Sequence, residues 1–194
     1  MLLPIRSRSG GSSPPNDVER WSPNFSWMTG ALAVGGSFPA TAAPLLVSEH
    51  GIGAVIDLRE EACDDERALK AAGVAFLHLP TPDYHAIEPP MIERGVEFAR
   101  RAMRSGSRVL IHCEHGIGRS ATLALCVMVA EGWAPMGALN RAKNRRALVS
   151  PSPAQYRAWT DWLGRWKARH GADWDIPDFA SFKTVAYRHL RPFA

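Results

Sequence analysis

One run of sequence, residues 109–120, constrains the fold of this chain more than any other segment. It reads Val-Leu-Ile-His-Cys-Glu-His-Gly-Ile-Gly-Arg-Ser and leads directly into the uncharged apolar segment 121–130. The apolar, β-branched start predicts a buried strand, and the apolar segment predicts a central helix. Cys113 then lies between a strand end and a helix N-terminus, where backbone N–H groups stabilise thiolates and bind phosphate. The run therefore predicts a nucleophile and an anion-binding loop in one strand–loop–helix unit.

Composition is that of an ordinary globular protein. The 194 residues are 46% hydrophobic and 22% charged, which is enough for one domain with a sizeable core. The net charge of +4 favours anionic substrates but is too small to indicate a nucleic-acid partner. The longest uncharged apolar run, 121–130, is too short for a membrane span, and the N-terminus lacks the long apolar segment of a signal peptide.

The cysteines indicate the compartment. There are three, Cys63, Cys113 and Cys126. An odd number without metal-ligand spacing argues against both a disulfide framework and a metal site. A nucleophilic thiol also requires a reducing environment. We therefore expect a cytoplasmic protein with no metal ion and no organic cofactor; the oligomeric state is not predicted.

Predicted strands and helices alternate along the chain. Hydrophobic patterns and turn signals predict strands at 31–35, 54–58, 74–79 and 108–112. The corresponding helices are expected at 39–49, 60–72, 90–103, 118–132, 135–147 and from 153 onward. This alternation predicts an α/β fold, a single domain with a central, mostly parallel twisted sheet flanked by helices.

The two ends of the chain differ from this central part. Residues 1–24 are rich in Ser, Gly, Pro and Arg, which predicts a flexible N-terminal tail. The folded domain is expected over 25–170. Residues 171–194 have no clear period, so we expect an extended C-terminal segment packed back on the domain.

The loop after Cys113 has the composition of a phosphate site. Its backbone amides and its Arg are the expected phosphate-binding groups, from Glu114, His115, Gly116, Ile117, Gly118 and Arg119. The two glycines let the backbone curl around an anion, and a guanidinium can hold two phosphate oxygens at once. The loop lacks the Gly-Lys-Ser/Thr ending of a Walker nucleotide loop.

The string His112-Cys113-x5-Arg119-Ser120 resembles the signature of the cysteine-dependent protein tyrosine phosphatase superfamily. In its short length, the chain resembles the dual-specificity branch of that superfamily. The resemblance extends from about residue 27 to 166. It includes Val-Ile-Asp-Leu-Arg at 55–59, Leu-Pro-Thr-Pro-Asp-Tyr at 79–84 and Ser-Pro-Ser-Pro-Ala-Gln at 150–155.

The resemblance implies a two-step hydrolysis of phosphomonoesters. Cys113 would attack phosphorus to form a phosphocysteine, while Arg119 and the loop amides hold the phosphoryl oxygens. Asp83 would protonate the leaving oxygen and then activate water. Ser120 would hydrogen-bond the sulfur and help it leave, and His112 would orient the loop and support the thiolate.

Other aspartates are weaker candidates for the acid. Asp57 also follows a strand-like run, but it fits better as a structural residue at a strand end. Asp64 and Asp65 lie at a predicted helix start, where carboxylates complement the helix dipole.

The resemblance leaves the substrate open between phosphorylated proteins and small phosphorylated molecules. Phosphotyrosine, with phosphoserine or phosphothreonine, is the first expectation. A phospholipid headgroup is the alternative, although Glu114 in the loop would repel a polyanion. A non-catalytic phosphate-binding module and a rhodanese-like sulfur transferase are disfavoured, because the nucleophile and the full His-Cys-x5-Arg-Ser string are present.

Two further groups of residues admit a structural or a functional interpretation. The basic cluster at 141–146, with Arg141, Lys143, Arg145 and Arg146, is either a solvated helix face or an anionic docking surface. Trp159, Trp162 and Trp166 have helical spacing, which favours a packing stripe. Cys63 could in principle trap oxidised Cys113, although sequence fixes no distance between them.

Overall fold

In the computed structural model, which describes residues 21–190, the fold is carried by a five-stranded sheet. Most of the predicted flexible tail, residues 1–20, lies outside the described residues, as do residues 191–194. The strands are β1 (Phe25–Trp27), β2 (Leu32–Gly35), β3 (Ile52–Arg59), β4 (Ala75–Thr81) and β5 (Arg108–His112).

The sheet is mixed but mostly parallel, with order β1-β2-β5-β3-β4. Only β1 runs antiparallel, at the edge beside β2. The central strand β5 pairs in parallel with β2 on one side and β3 on the other, so that His112 lies opposite both Gly35 and Asp57. The α/β fold with a mostly parallel sheet is confirmed, and the carboxyl ends of three strands meet where the cysteine loop begins.

Helices cover both faces of the sheet. They are α1 (Ala43–Ser48), α2 (Glu66–Ala71), α3 (Pro89–Arg104), α4 (Arg119–Ala130), α5 (Pro135–Arg145), α6 (Pro153–His170) and α7 (Phe179–Ala186). The alternation of side chains along each strand separates two apolar layers. Val55 and Leu110 pack with α1 and α2, whereas Ile56 and Ile111 pack with the larger set that includes α3 to α7. Among the helices described, none has the length and apolar character needed to cross a membrane.

Helix α4 is the centre of the larger layer. All of its residues are buried, as expected for a helix that is apolar on every side. Helix α3 packs against it through Gly95, where a Cβ would lie 2.8 Å from a methyl carbon of Leu123. Because α4 is fixed on all sides, its N-terminus gives the cysteine loop a rigid base.

Helix α6 illustrates how local sequence sets the ends of an element. Ser152 accepts a hydrogen bond from the Gln155 backbone N–H, and the Gln155 side chain accepts one from the Ser152 backbone N–H. This reciprocal capping starts the helix, with Pro153 in its first turn. Gly171, with φ of +65°, ends it in the left-handed conformation that glycine adopts readily.

The structure differs from the sequence predictions in two segments, residues 60–72 and the residues beyond Gly171. The helix expected at 60–72 begins only at Glu66, because Asp65 caps it by accepting a hydrogen bond from the Ala68 N–H. The segment beyond Gly171, expected to be extended, contains α7. Asp178 caps that helix through the Ser181 N–H, a start signal that the short apolar pattern obscured.

Replacing Phe182 with alanine is expected to destabilise the domain by about 3–5 kcal/mol. The Phe182 side chain is fully buried, with ring centroids 4.8 Å from Tyr156 and 6.0 Å from Trp159. Removing it would leave a cavity between α7 and α6. Urea unfolding measures the loss, with Lys183→Ala on the exposed side of α7 as the matched control. Equal stability of both variants would show that α7 is not part of the cooperative unit.

Candidate active site

The cysteine loop lies between the end of β5 at His112 and the start of α4 at Arg119. Gly118 precedes the helix without any side-chain cap, so the first N–H groups of α4 remain available to a ligand. A Cβ on Gly118 would lie 2.5 Å from Oε1 of Gln155, and only glycine fits there without a shift. This loop and helix end form the anion-binding geometry that the sequence predicts.

Cys113 is nearly buried, with 3% of its surface exposed, and belongs to the lining of a small pocket. Its Sγ lies 3.3 Å from Oγ of Ser120 in the first turn of α4. The other lining residues are Asp83, Tyr84, His115, Ile117, Gly118, Arg119, Ser150 and Gln155. A small ligand in this pocket would therefore meet the thiol, the guanidinium and the carboxylate together.

The Arg119 guanidinium is held at one end by two acceptors. Nη1 and Nη2 each donate to a carboxylate oxygen of Glu61 at 2.7 Å, and Nη1 also donates to the Thr81 carbonyl at 2.9 Å. Burial lowers the pKa of Arg119, but the Glu61 hydrogen bonds and the negative charges around it raise it above its usual value. Arg119 is therefore a fixed cation.

The opposite edge of the same guanidinium remains available. Nε of Arg119 is buried and has no hydrogen-bond partner among the described residues. Oδ1 of Asp83 lies 3.3 Å from this Nε, without the alignment of a hydrogen bond. An arginine binds phosphate through two parallel N–H groups. With Glu61 on the Nη1/Nη2 end, the Nε/Nη2 edge is the one that can take two phosphoryl oxygens.

Asp83 lies at the tip of the loop after β4, with about half of its side chain exposed. Its Oδ1 accepts a hydrogen bond from the Tyr84 N–H at 3.0 Å. Tyr84 has φ of +61°, a strained value for a non-glycine residue, and its carbonyl accepts a hydrogen bond from the Ser152 hydroxyl at 2.6 Å. The start of α6 thus fixes the loop that carries the acid candidate.

His112 lies beneath the loop and faces a charge network, not the pocket. Its Nε2 donates to the Asp64 carboxylate at 2.7 Å, and Nδ1 lies 3.3 Å from the Cys113 carbonyl. Arg59 joins the network by donating to Asp64 at 2.6 Å and to Asp57 at 2.9 Å. Asp57 is fully buried and paired with Arg59, which agrees with its interpretation as a structural residue.

The side chains of Asp64 and Glu114 both contact groups outside the pocket. Asp64 is not a helix-dipole partner, because α2 starts later and its carboxylate orients His112. The Glu114 side chain accepts hydrogen bonds from Ser37 and Arg59 and does not line the pocket. Only the backbone of Glu114 is thereby left for a ligand in the pocket.

The remaining thiols have different surroundings. Cys63 is exposed and lies beside a second depression with Arg59 and Asp64, where burial and the nearby carboxylates raise its pKa. Burial raises the pKa of Cys126 well above its ordinary value. Both shifts favour the neutral thiol, and Cys113 alone among the three lies at the described helix N-terminus.

The basic cluster at 141–146 does not form a uniform solvated helix face. Lys143 and Arg146 are buried, and Arg141 donates to the Met28 carbonyl. Burial lowers the pKa of Lys143 to about 8, and its ammonium donates to the Val149 carbonyl at 2.7 Å. Arg145 is exposed.

Trp159 and Trp162 are fully buried, as a packing stripe requires.

Sequence reasoning did not single out Glu61 or the Gln155 side chain as site residues. Glu61 follows β3 at the carboxyl edge of the sheet, which is where parallel strands deliver ligands. The position of Glu61 just after a parallel strand is therefore a signal for a site residue. The helix predicted over 60–72 hides that signal, because it assigns Glu61 to the helix instead. The sequence marks Gln155 only as part of a helix start, and its contact with the cysteine loop depends on the long-range approach of α6 to Gly118.

Replacing Glu61 with glutamine is expected to lower kcat/KM by about tenfold, because the guanidinium of Arg119 loses its charged clamp. Glu60→Gln, the adjacent exposed carboxylate, is the control and should leave kcat/KM unchanged. Steady-state hydrolysis of an aryl phosphate provides the measurement. An unchanged kcat/KM for Glu61→Gln would contradict the clamp.

The same pair predicts a pH dependence of stability. The Arg119 hydrogen bonds lower the pKa of Glu61 from 4.5 to about 2. A lowered pKa in the folded state contributes stability above the unfolded value, and that contribution is lost as pH falls toward 2. Because Glu61 is half exposed, the contribution should be below about 1 kcal/mol. Urea unfolding at pH 6 and pH 2.5 should show a larger loss for the parent chain than for Glu61→Gln.

Comparisons with known proteins agree with this geometry. Residues 29–133, more than half of the chain, match the family model described as "Polymorphic toxin system, DSP-PTPase phosphatase". Mouse phosphatidylglycerophosphatase and protein-tyrosine phosphatase 1 is 30% identical over 118 residues, covering 57% of this chain and 61% of that protein. A Slingshot protein phosphatase homolog of Xenopus laevis is 35% identical over 82 residues, covering 40% of this chain and 12% of that protein. The chain thus spans 61% or less of these relatives' lengths.

Solved structures share the fold. PTPMT1 in complex with PI(5)P superposes with a TM-score of 0.70 at 24% identity, over 75% of this chain and 97% of that chain. The active form of Tk-PTP gives a TM-score of 0.67 at 24% identity, over 74% and 98%. These likenesses establish a common architecture for the sheet and its helices.

Proposed function

Because the chain belongs to the family of DSP-PTPase phosphatases of polymorphic toxin systems, we propose that it is a cysteine-dependent phosphomonoester hydrolase. One observation carries the proposal. The Cys113 sulfur lies at the base of a pocket at the N-terminus of α4, and the free Nε edge of Arg119 belongs to the same pocket. A phosphoryl group held by that edge and the loop amides would meet the sulfur directly.

The first step of the proposed mechanism is transfer of the phosphoryl group to sulfur. The Cys113 thiolate attacks phosphorus, an S–P bond forms, and the bond to the leaving oxygen breaks. Asp83 donates its proton to that oxygen, so the leaving group departs neutral. The phosphate displaces Asp83 from the Nε edge of Arg119, which leaves the carboxyl group facing the leaving oxygen.

The second step regenerates the thiolate. Asp83, now a carboxylate, takes a proton from water, and the resulting hydroxide attacks phosphorus while the S–P bond breaks. Ser120 donates a hydrogen bond to the departing sulfur across the 3.3 Å contact. Backbone N–H groups and Arg119 stabilise the charge on the phosphoryl oxygens in both steps, at about 3 kcal/mol for one well-placed donor.

Phosphotyrosine is the first substrate class, with phosphoserine and phosphothreonine as further candidates. Tyr84 is 74% exposed at the pocket, and its ring can contact an aromatic leaving group. A loop with a strained backbone that is fixed by Ser152 holds that ring next to the acid. This arrangement supports a preference for aryl over alkyl phosphates.

A phospholipid headgroup is the second candidate, for two reasons. The mouse relative is named phosphatidylglycerophosphatase and protein-tyrosine phosphatase 1, and one solved structure of the same fold is PTPMT1 in complex with PI(5)P. The objection from Glu114 also weakens, because its side chain contacts Ser37 and Arg59 and does not line the pocket. A further polyanionic group would thus meet less repulsion than the sequence indicates.

A substrate panel separates these candidates. Phosphate release would be measured from phosphotyrosine and phosphothreonine peptides and from vesicles containing phosphatidylglycerophosphate, with the Cys113→Ser variant as the blank. A kcat/KM at least about tenfold higher on the phosphotyrosine peptide than on the vesicles supports the protein substrate. The reverse order supports the lipid, and no release from any of them would contradict phosphatase activity.

We expect the enzyme to work in a reducing compartment such as the cytoplasm, because a reactive thiolate at Cys113 is readily oxidised. Loss of turnover in dilute peroxide, and its recovery with dithiothreitol, would support this placement. Turnover that survives peroxide would remove the chemical reason for it.

A further inference from the structure

Arg146 follows the last residue of α5, and its side chain is directed at the cysteine loop. Nε donates to the Gly116 carbonyl at 2.8 Å, and Nη2 donates to the His115 carbonyl at 2.7 Å. Nη2 also donates to the side-chain oxygen of Asn24 at 2.8 Å. The residue is 8% exposed. A buried guanidinium therefore binds the outer side of the loop through two carbonyl oxygens, and the Asn24 side-chain oxygen is its third neutral acceptor.

These contacts fix the direction of two peptide groups. In a trans peptide the C=O and N–H point to opposite sides, and the described chain has no cis peptides. Holding the His115 and Gly116 carbonyls toward Arg146 directs the N–H groups of Gly116 and Ile117 away from it, toward the inside of the loop. Gly116 has φ of +68°, and a Cβ there would lie 2.5 Å from the Gly35 carbonyl carbon. The loop is thus clamped between β2 and Arg146.

The other two arginines near Cys113 already face carboxylates. Arg119 faces the carboxylates of Glu61 and Asp83. Arg59 faces three more, those of Asp57, Asp64 and Glu114. Ser120 hydrogen-bonds the sulfur and His115 lines the same pocket, whereas the His112 ring contacts the Cys113 carbonyl and Asp64.

Arg146 is the exception to this pairing. Within residues 21–190 it has no carboxylate partner, and burial lowers its pKa. It remains cationic, because an arginine deprotonates only far above neutral pH. A desolvated, unpaired cation acts on a nearby anion more strongly than one neutralised by its own counter-ion.

We propose that Arg146 is a positioning residue that makes the loop an anion site by turning its amides inward and by holding a positive charge, without a carboxylate partner, against the outer side of the loop that follows Cys113. The inference rests on the proposed function, since it concerns the same nucleophile. It assigns the thiolate's stabilisation in part to a residue outside the signature string. Arg119, by contrast, serves the phosphate.

The test follows the rate of Cys113 alkylation by iodoacetamide from pH 5 to 9, read by mass spectrometry of the Cys113 peptide. Arg146→Met should react about tenfold more slowly than the parent chain at pH 6 and equally fast at pH 9, where the thiol is ionised without help. Arg146→Lys keeps the charge without the fork and should fall between them. Arg145→Met, which removes an exposed charge at the adjacent position, is the matched control.

A second variant covers the case in which Arg146→Met does not fold. Asn24→Asp places a carboxylate on Nη2 and keeps the carbonyl contacts, because the exposed Asn24 offers only its oxygen to Arg146. It should slow alkylation at pH 6 and leave the rate at pH 9 unchanged. A parent-like pH profile in either variant, or equal slowing at every pH, would overturn the role of Arg146. A parent chain unreactive at pH 6 would instead overturn the proposed function.

Discussion

Replacing Cys113 with serine is expected to lower the turnover of p-nitrophenyl phosphate by about 10⁴-fold or more. The serine hydroxyl is not ionised near neutral pH. The loop amides and Arg119 would therefore still bind phosphate, but the site would lack a nucleophile. The variant should keep its fold, since Ser and Cys differ little in size. A serine hydroxyl can also take the place of the sulfur in the contact with Ser120. Stopped assays of nitrophenol release measure the loss.

Cys63→Ser is the matched control, because it makes the same atomic change at an exposed thiol outside the pocket. It should turn over like the parent chain. Full turnover in Cys113→Ser would remove Cys113 from its role and, with it, the phosphocysteine intermediate. Loss of turnover in Cys63→Ser would require a function for that thiol that the pocket does not provide.

Replacing Asp83 with alanine is expected to slow hydrolysis of phenyl phosphate at pH 6 by about 10²–10³-fold, the usual contribution of a positioned general acid. The loss should be smaller for p-nitrophenyl phosphate, because nitrophenolate leaves with less need for a proton. Comparing kcat on the two esters isolates proton donation from binding. Binding itself should improve slightly, because the variant frees the Nε edge of Arg119.

Asp161→Ala, which removes an exposed carboxylate on α6, is the control for the Asp83 variant. An equal effect of Asp83→Ala on both esters would contradict the acid role. Asp57 could not replace it, because its carboxylate is fully buried and bonded to Arg59. A water-only mechanism would then be the remaining explanation. If the acid role holds, Asp83→Ala is also the variant with which to trap the natural substrate from extracts.

Most of the architecture could be predicted from the sequence because its signals are local. The apolar strands, the fully apolar α4 and the cap of α6 each depend on neighbouring residues, and the resemblance to the tyrosine phosphatase superfamily and its dual-specificity branch is confirmed by the family and structure matches. The site's nucleophile, arginine and serine lie within one string. Their spacing alone brings Cys113 to the end of β5 and Ser120 to the start of α4.

What could not be predicted depends on contacts between distant segments. Glu61 reaches Arg119 only because the residues before α2 form a loop at the carboxyl edge of the sheet. Arg146 was one member of a basic cluster, and nothing local distinguishes it from the exposed Arg145. The extended backbone of Arg146 just after α5, and its packing against distant segments, decide which of the two reaches the cysteine loop. A sequence pattern contains the residue types but not that choice.

The ionisation of Cys113 is the most direct measurement, because every step above requires an anionic sulfur. In Cys63→Ser, the alkylation of Cys113 by iodoacetamide would be followed from pH 5 to 9. The account predicts a rate at pH 6 within about threefold of the rate at pH 8, since the thiolate is already present. A rate that rises about tenfold with each pH unit until above pH 8, as for an ordinary thiol, would contradict it.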